Sequence, residues 1–135
     1  MNALSAFLHP AVTREEKEIV ISKRFLGEDG KPTPFKIRSL TQEENAVIIK
    51  AATHPKKVDG QWQDSLDANE LGARTIVEAT IFPDFRSAEL CEAYGTKDPV
   101  EVPGKMLFAG EFSRLLNAVS KLSGFDKSLD EEAKN

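Results

Sequence analysis

The spacing of hydrophobic residues changes period several times along the chain, and each change predicts an element. Leu4, Phe7 and Leu8 share one face of a short helix that Pro10 ends, because proline lacks a backbone donor and clashes with the preceding turn. From Glu18 to Phe25 the period drops to two, with Ile19, Ile21 and Phe25 on one face and Val20, Ser22 and Arg24 on the other, as in a strand. Glu28-Asp29-Gly30-Lys31 tolerates positive φ, and Phe35-Lys36-Ile37-Arg38 alternates again. The pattern predicts a β-hairpin with a long loop, its second strand shortened by Pro32 and Pro34.

Helical spacing then takes over. Thr41 and Glu44 stand three apart, so the hydroxyl and the carboxylate can each cap the other's free amide, and Val47, Ile48, Ala51 and Ala52 follow on one face. A helix over about 42–53 is expected, closed by His54-Pro55, with an exposed polar loop through Gly60 to Gln63. Asp67 caps a second long helix carrying Leu71, Ile76, Val77 and Ile81, apolar around much of its circumference and ended by Pro83. Ser87 starts a short helix through Leu90 and Cys91, which Gly95 terminates in a left-handed conformation. Asp98-Pro99 has the order of a helix start, but Pro103-Gly104 interrupts it. Phe112, Leu115, Leu116, Val119 and Leu122 form an amphipathic stripe that predicts a helix over about 109–123, capped by Gly124.

The whole reads as an α+β fold: an N-terminal β-hairpin packed on a mostly helical domain of four to five helices. Residues 1–125 make one domain, and 126–135 an acidic tail whose only sizeable apolar group is Leu129, too little to order itself.

Composition narrows the function. The chain has 135 residues, enough for one core, and 30% of them are charged. A net charge of −4 disfavours a nucleic-acid binder, which needs a basic surface to displace counterions from phosphates. No apolar run suits a membrane span and no signal-peptide pattern opens the chain, so the expected place is the cytoplasm. Cys91 has no second cysteine to pair with and reads as a buried small apolar residue, and His9 and His54 lack partners at metal-ligand spacing. Phosphate loops and nucleophile elbows are absent, so neither a cofactor nor an enzymatic activity is expected. Trp62, in a polar stretch, either folds back on the core as a lid or anchors a partner. The Phe112, Leu115, Leu116, Val119, Leu122 stripe is mainly core, with part of it available to a protein partner or to weak self-association.

Several segments together resemble the XkdN-like tail assembly chaperones of phages and prophages of Gram-positive bacteria. Ile21-Ser22-Lys23-Arg24-Phe25, Glu28-Asp29-Gly30-Lys31-Pro32 and Phe35-Lys36-Ile37-Arg38 are similar to the family's hairpin, and Leu40-Thr41-Gln42-Glu43-Glu44-Asn45 to its first helix start. Phe82-Pro83, Ala88-Glu89-Leu90 and Ala93-Tyr94-Gly95 match its central pattern, and Lys105-Met106-Leu107, Gly110-Glu111-Phe112 and Gly124-Phe125 its C-terminal part. Pro103-Gly104 departs from the continuous helix expected there. The resemblance implies a non-enzymatic host-cytoplasmic protein, absent from the mature virion, that keeps the tape measure protein soluble and helps recruit tail tube subunits. A connector or completion protein retained in the virion is the alternative. The resemblance also implies two product lengths, the longer made by a ribosomal frameshift. Ala133-Lys134-Asn135 can be encoded as GCA-AAA-AAC, which contains a slippery heptamer.

Overall fold

The computed structural model describes residues 3–125, so the expected tail at 126–135 lies outside the described residues. The elements run α1 (Leu4–Leu8), β1 (Glu16–Ile19), β2 (Phe35–Arg38), α2 (Gln42–Ala51), β3 (Thr53–Val58), β4 (Gln61–Leu66), α3 (Ala68–Ala79), β5 (Thr80–Phe82), α4 (Ala88–Ala93), a 3-10 turn (Pro99–Glu101), α5 (Val102–Met106) and α6 (Ala109–Leu122). The class is α+β, and the described residues form six α-helices rather than four to five and two small antiparallel sheets, ordered β1-β2-β5 and β3-β4.

The first hairpin is present, pairing Glu16 with Arg38 through to Ile19 with Phe35. Its first strand is earlier and shorter than the alternation over 18–25 predicts. Beyond Ile19 other groups take up the backbone: Arg114 donates to the Ile21 carbonyl, the Phe25 carbonyl accepts from Thr33 N at 2.7 Å, and Gly27 N donates to Lys31 O at 2.8 Å. Ile21 and Phe25 still turn inward, but Ser22, expected on the outer face, is buried as well, so the alternation holds only in part across this irregular segment.

α2 starts as its sequence dictates. Thr41 Oγ1 accepts from Glu44 N at 3.1 Å, and Glu44 Oε1 accepts from Thr41 N at 3.0 Å. α3 begins with Asp67 accepting from Glu70 N. It ends at Ala79, so Ile81, expected in the helix, lies in β5 against β2. The residue before a proline avoids the helical region, and Thr80-Ile81-Phe82 is β-branched and aromatic, so the segment completes the sheet instead. The Asp98-Pro99 start is indeed broken: a 3-10 turn precedes α5, whose first turn accommodates Pro103. Ser87 caps α4, and Gly95 and Gly124 both adopt positive φ after their helices.

The inner face of β2, Phe35 and Ile37, packs with Ile76 and Val77 of α3, Leu115 and Val119 of α6, and Phe85 and Val102 between them. Cys91 is buried in this core, its thiol 3.4 Å from the Phe85 carbonyl.

Candidate protein-binding surfaces

Several apolar side chains stand exposed outside the core, Leu26, Val47, Phe82 and Phe108 among them; three features gather more than one such residue on elements that the sequence reading singled out or missed. The first is the β3–β4 hairpin, which occupies the stretch read above as a polar loop. Asp59 and Gly60 both have positive φ, 51° and 80°, the requirement of a two-residue turn that suits strand twist. The signal was Asp-Gly itself, hidden because neither strand buries a face and so neither alternates. The hairpin base is tied to the domain by Asp67 N donating to Ala52 O at 2.9 Å and by a 2.9 Å contact between His54 Nε2 and Glu70 Oε1. Hydrogen bonds from Arg74, then from His54, lower the Glu70 pKa.

Cross-strand pairing puts Thr53 with Leu66, Pro55 with Asp64 and Lys57 with Trp62, so these six residues share one face. Trp62 is 70% exposed and Leu66 48%. The expected lid does not form: a ribbon that leaves the domain at its base carries the indole away from the core.

The second feature is a groove of about 400 Å³ where α2, α3 and α6 meet. Leu40, Ile49, Leu71, Leu116 and Phe125 supply its apolar surface, and none of the side chains lining it is charged. Beside it α3 packs closely on α6. A Cβ on Gly72 would lie 3.1 Å from Phe112 Cε1 and 3.3 Å from Leu116 Cδ2, so glycine is what lets the two helices approach there. Sequence reading found Leu116 and Val119 of this groove but not Leu40, Ile49 or Leu71, which come from three separate elements.

The amphipathic stripe divides between core and groove. Leu115 and Val119 are buried, whereas Phe112, Leu116 and Leu122 are partly buried at the core's edge. A partner could reach Leu115 only by opening the domain.

The third feature is α1, whose Leu4, Phe7 and Leu8 are all exposed, Phe7 by 80%. Among the described residues, no group of three or more His, Cys, Asp or Glu is placed to hold a metal ion, and no helix is long and apolar enough to cross a membrane.

Comparison with known proteins gives this geometry its context. Residues 4–134 match the family described as phage XkdN-like tail assembly chaperone protein. The chain belongs to that family. Its relatives include the phage-like element PBSX protein XkdN of Bacillus subtilis strain 168, 41% identical over 96% of this chain and 93% of the relative. The protein YqbN of the same organism is 39% identical over 96% of this chain and 92% of its own length. A crystal structure of YqbN superposes with a TM-score of 0.77 at 36% identity, covering 93% of this chain and 99% of the other. In this chain Pro103 stands in the first turn of α5, where its missing amide costs nothing, and the 3-10 turn at Pro99–Glu101 precedes it.

Proposed function

We propose that this tail assembly chaperone acts without catalysis in the host cytoplasm, binding the tape measure protein and keeping it soluble until tail tube subunits replace it. The observation that carries the reading is the family match along residues 4–134. A tape measure protein is a very long helical chain whose exposed apolar stripes associate with one another unless they are covered. The exposed face of the β3–β4 hairpin supports the reading physically. Trp62 and Leu66 offer an exposed apolar surface beside Lys57 and Asp64, the mixture of anchor and polar rim found where proteins meet.

The half-buried Phe112, Leu116 and Leu122 are too embedded for a first encounter, so Trp62 is assigned the leading contact. Each contact is weak alone, and many copies along one chain are strong together, which lets tube subunits displace them in sequence. In this proposal a longer product, made by a −1 slip at the codons for Ala133-Lys134-Asn135, carries a second module that recruits the tube protein.

Co-expression with the tape measure protein tests the reading. The intact chain raises the soluble tape measure fraction, and Trp62→Ala lowers it while the domain stays folded. An unchanged supernatant fraction with the intact chain would sink the chaperone reading. Mass spectrometry of purified virions should miss the chain; finding it in stoichiometric amount would favour a connector or completion protein.

A further inference from the structure

Not all of the charge on this acidic protein is balanced where it stands. Lys17, Arg114 and Lys121 border a cleft of about 500 Å³ between β1 and α6, and Ile19, Ala118 and Leu122 supply its apolar part. No acidic side chain lines it. Two periodicities produce that segregation. Alternation along β1 turns Lys17 and Ile19 to this side and Glu16 to the other, where Arg14 and Lys36 hold it. Arg114 and Lys121 stand seven apart on α6, which is two turns along one face. Among the described residues no carboxylate pairs with any of the three cations. Arg114 Nη1 donates to the Ile21 carbonyl, which fixes the guanidinium at the rim with Nε and Nη2 still to spare. A concave site of one sign focuses its potential and draws the opposite charge.

The chain carries that opposite charge itself and delivers it beside the cleft. After α6, Gly124 turns with φ 100° and Phe125 N donates to Ser120 O at 3.0 Å, so the last described residue is bound within a turn of Lys121. Residues 126–135 follow, where Asp126, Asp130, Glu131 and Glu132 outnumber Lys127 and Lys134 and Leu129 is the sizeable apolar side chain. Leu129 lies four residues past Phe125, a reach of at most about 14 Å, and a helix is about 10–12 Å across, so the segment can round the end of α6. The α2/α3/α6 groove lies on the opposite face of that helix, and Phe125 lines it. Nothing charged stands there to replace the water that the acids would lose. The basic cleft offers both a floor for one leucine and cations for the three acids that follow it.

We propose that residues 126–132 fold back around the end of α6 into the basic cleft, Leu129 on its floor and Asp130-Glu131-Glu132 among Lys17, Arg114 and Lys121. The chain's own tail then excludes acidic segments of other proteins from this face. A tethered segment meets its site at high effective concentration, so contacts too weak to join separate molecules suffice within one. The contact goes beyond the proposed function and does not depend on what the domain binds.

Paramagnetic broadening in the full chain is the test. A nitroxide on Ala133→Cys, in a Cys91→Ala background, should broaden the amides of Lys17, Arg114 and Lys121 more strongly than those of Asn45 and Ile49 in the α2/α3/α6 groove. Raising NaCl from about 0.05 M to about 0.5 M should weaken the effect, because the charges involved are exposed. Replacing the three tail acids together, Asp130→Lys, Glu131→Lys and Glu132→Lys, should abolish it without touching the domain. Lys17→Glu with Lys121→Glu, both at exposed positions, should also abolish it, and joining these to the tail replacements should restore it. Three results would each overturn the proposal: cleft amides that stay sharp or broaden no more than the groove's; broadening that survives reversal of the tail acids; or equal broadening when the nitroxide-bearing chain is mixed with an isotope-labelled chain that lacks the nitroxide, which would assign the contact to separate molecules.

Discussion

Arg24 and Glu111, 87 positions apart, form a two-pronged ion pair in which Arg24 Nε donates to Glu111 Oε2 at 3.0 Å and Nη2 donates to Oε1. The guanidinium lies over the Phe108 ring, 3.8 Å from its centroid, and also donates to the Met106 carbonyl. Glu111 caps its own helix as well, accepting from Phe108 N at 2.7 Å.

That arrangement makes stability depend on acid. Hydrogen bonds from Arg24, then from Ser22 and Phe108 N, hold the Glu111 pKa at about 2 against an ordinary 4.5, and bonds from Arg38 and Thr41 do the same for Glu44. Both folded values are depressed, so the unfolded chain binds more protons between the two limits. Their contribution is complete above about pH 5 and is lost as pH falls through 4.5 toward 2. Urea midpoints should drop across that window, and the drop should be smaller in Glu111→Gln.

Arg38 joins two helices to the first sheet. It donates to both Glu44 oxygens at 3.0 and 2.7 Å and to Glu78 at 3.0 Å, while Arg86 holds the other Glu78 oxygen at 2.6 Å. Arg38→Met keeps the stem and removes every donor. Denaturant unfolding should show a loss of about 2 kcal/mol, and Arg38→Lys should recover only part of it, since one ammonium cannot reproduce the fork.

Two neighbours on α6 should respond differently to truncation. Leu115 is fully buried, so Leu115→Ala should cost about 2–5 kcal/mol in equilibrium unfolding. Leu116 lies partly exposed on the groove wall, and Leu116→Ala should cost less than half as much. Equal losses would mean that the groove closes over Leu116 in solution.

The β3–β4 turn requires positive φ at Gly60, where any Cβ is strained. Gly60→Ala should destabilise the ribbon by about 1 kcal/mol. Amide exchange should quicken about fivefold in 53–66 while α3 and α6 keep their protection. Uniform loss of protection would show that the hairpin is integral to the domain.

These cases show where the sequence was readable. Elements that bury one face announced themselves: β2 by its alternation, α2 by Thr41 and Glu44, α6 by its stripe. Elements stabilised otherwise did not. Neither strand of the 53–66 hairpin hides a face, so Trp62 looked like a residue in a loop. The three residues of β5 are too few to carry a period and were absorbed into the preceding helix. The groove was legible only on its α6 wall, because Leu40, Ile49 and Leu71 gather from separate segments and share no spacing. The family resemblance, by contrast, rested on short segments in order and survived these misplacements.

Glu44 and Glu111 occupy equivalent places, each third in its helix, each accepting from the backbone at that helix start, and each gripped by an arginine from the N-terminal hairpin region. Fraying of either helix start would cost its arginine the carboxylate it grips, and displacement of the hairpin would leave each capping carboxylate without its ionic partner. The first turns of α2 and α6 should therefore exchange their amides with β2 as one cooperative unit, at the free energy of global unfolding. The arm and the Trp62 ribbon lie beyond these two latches and can rearrange on meeting a partner without disturbing the domain that carries them.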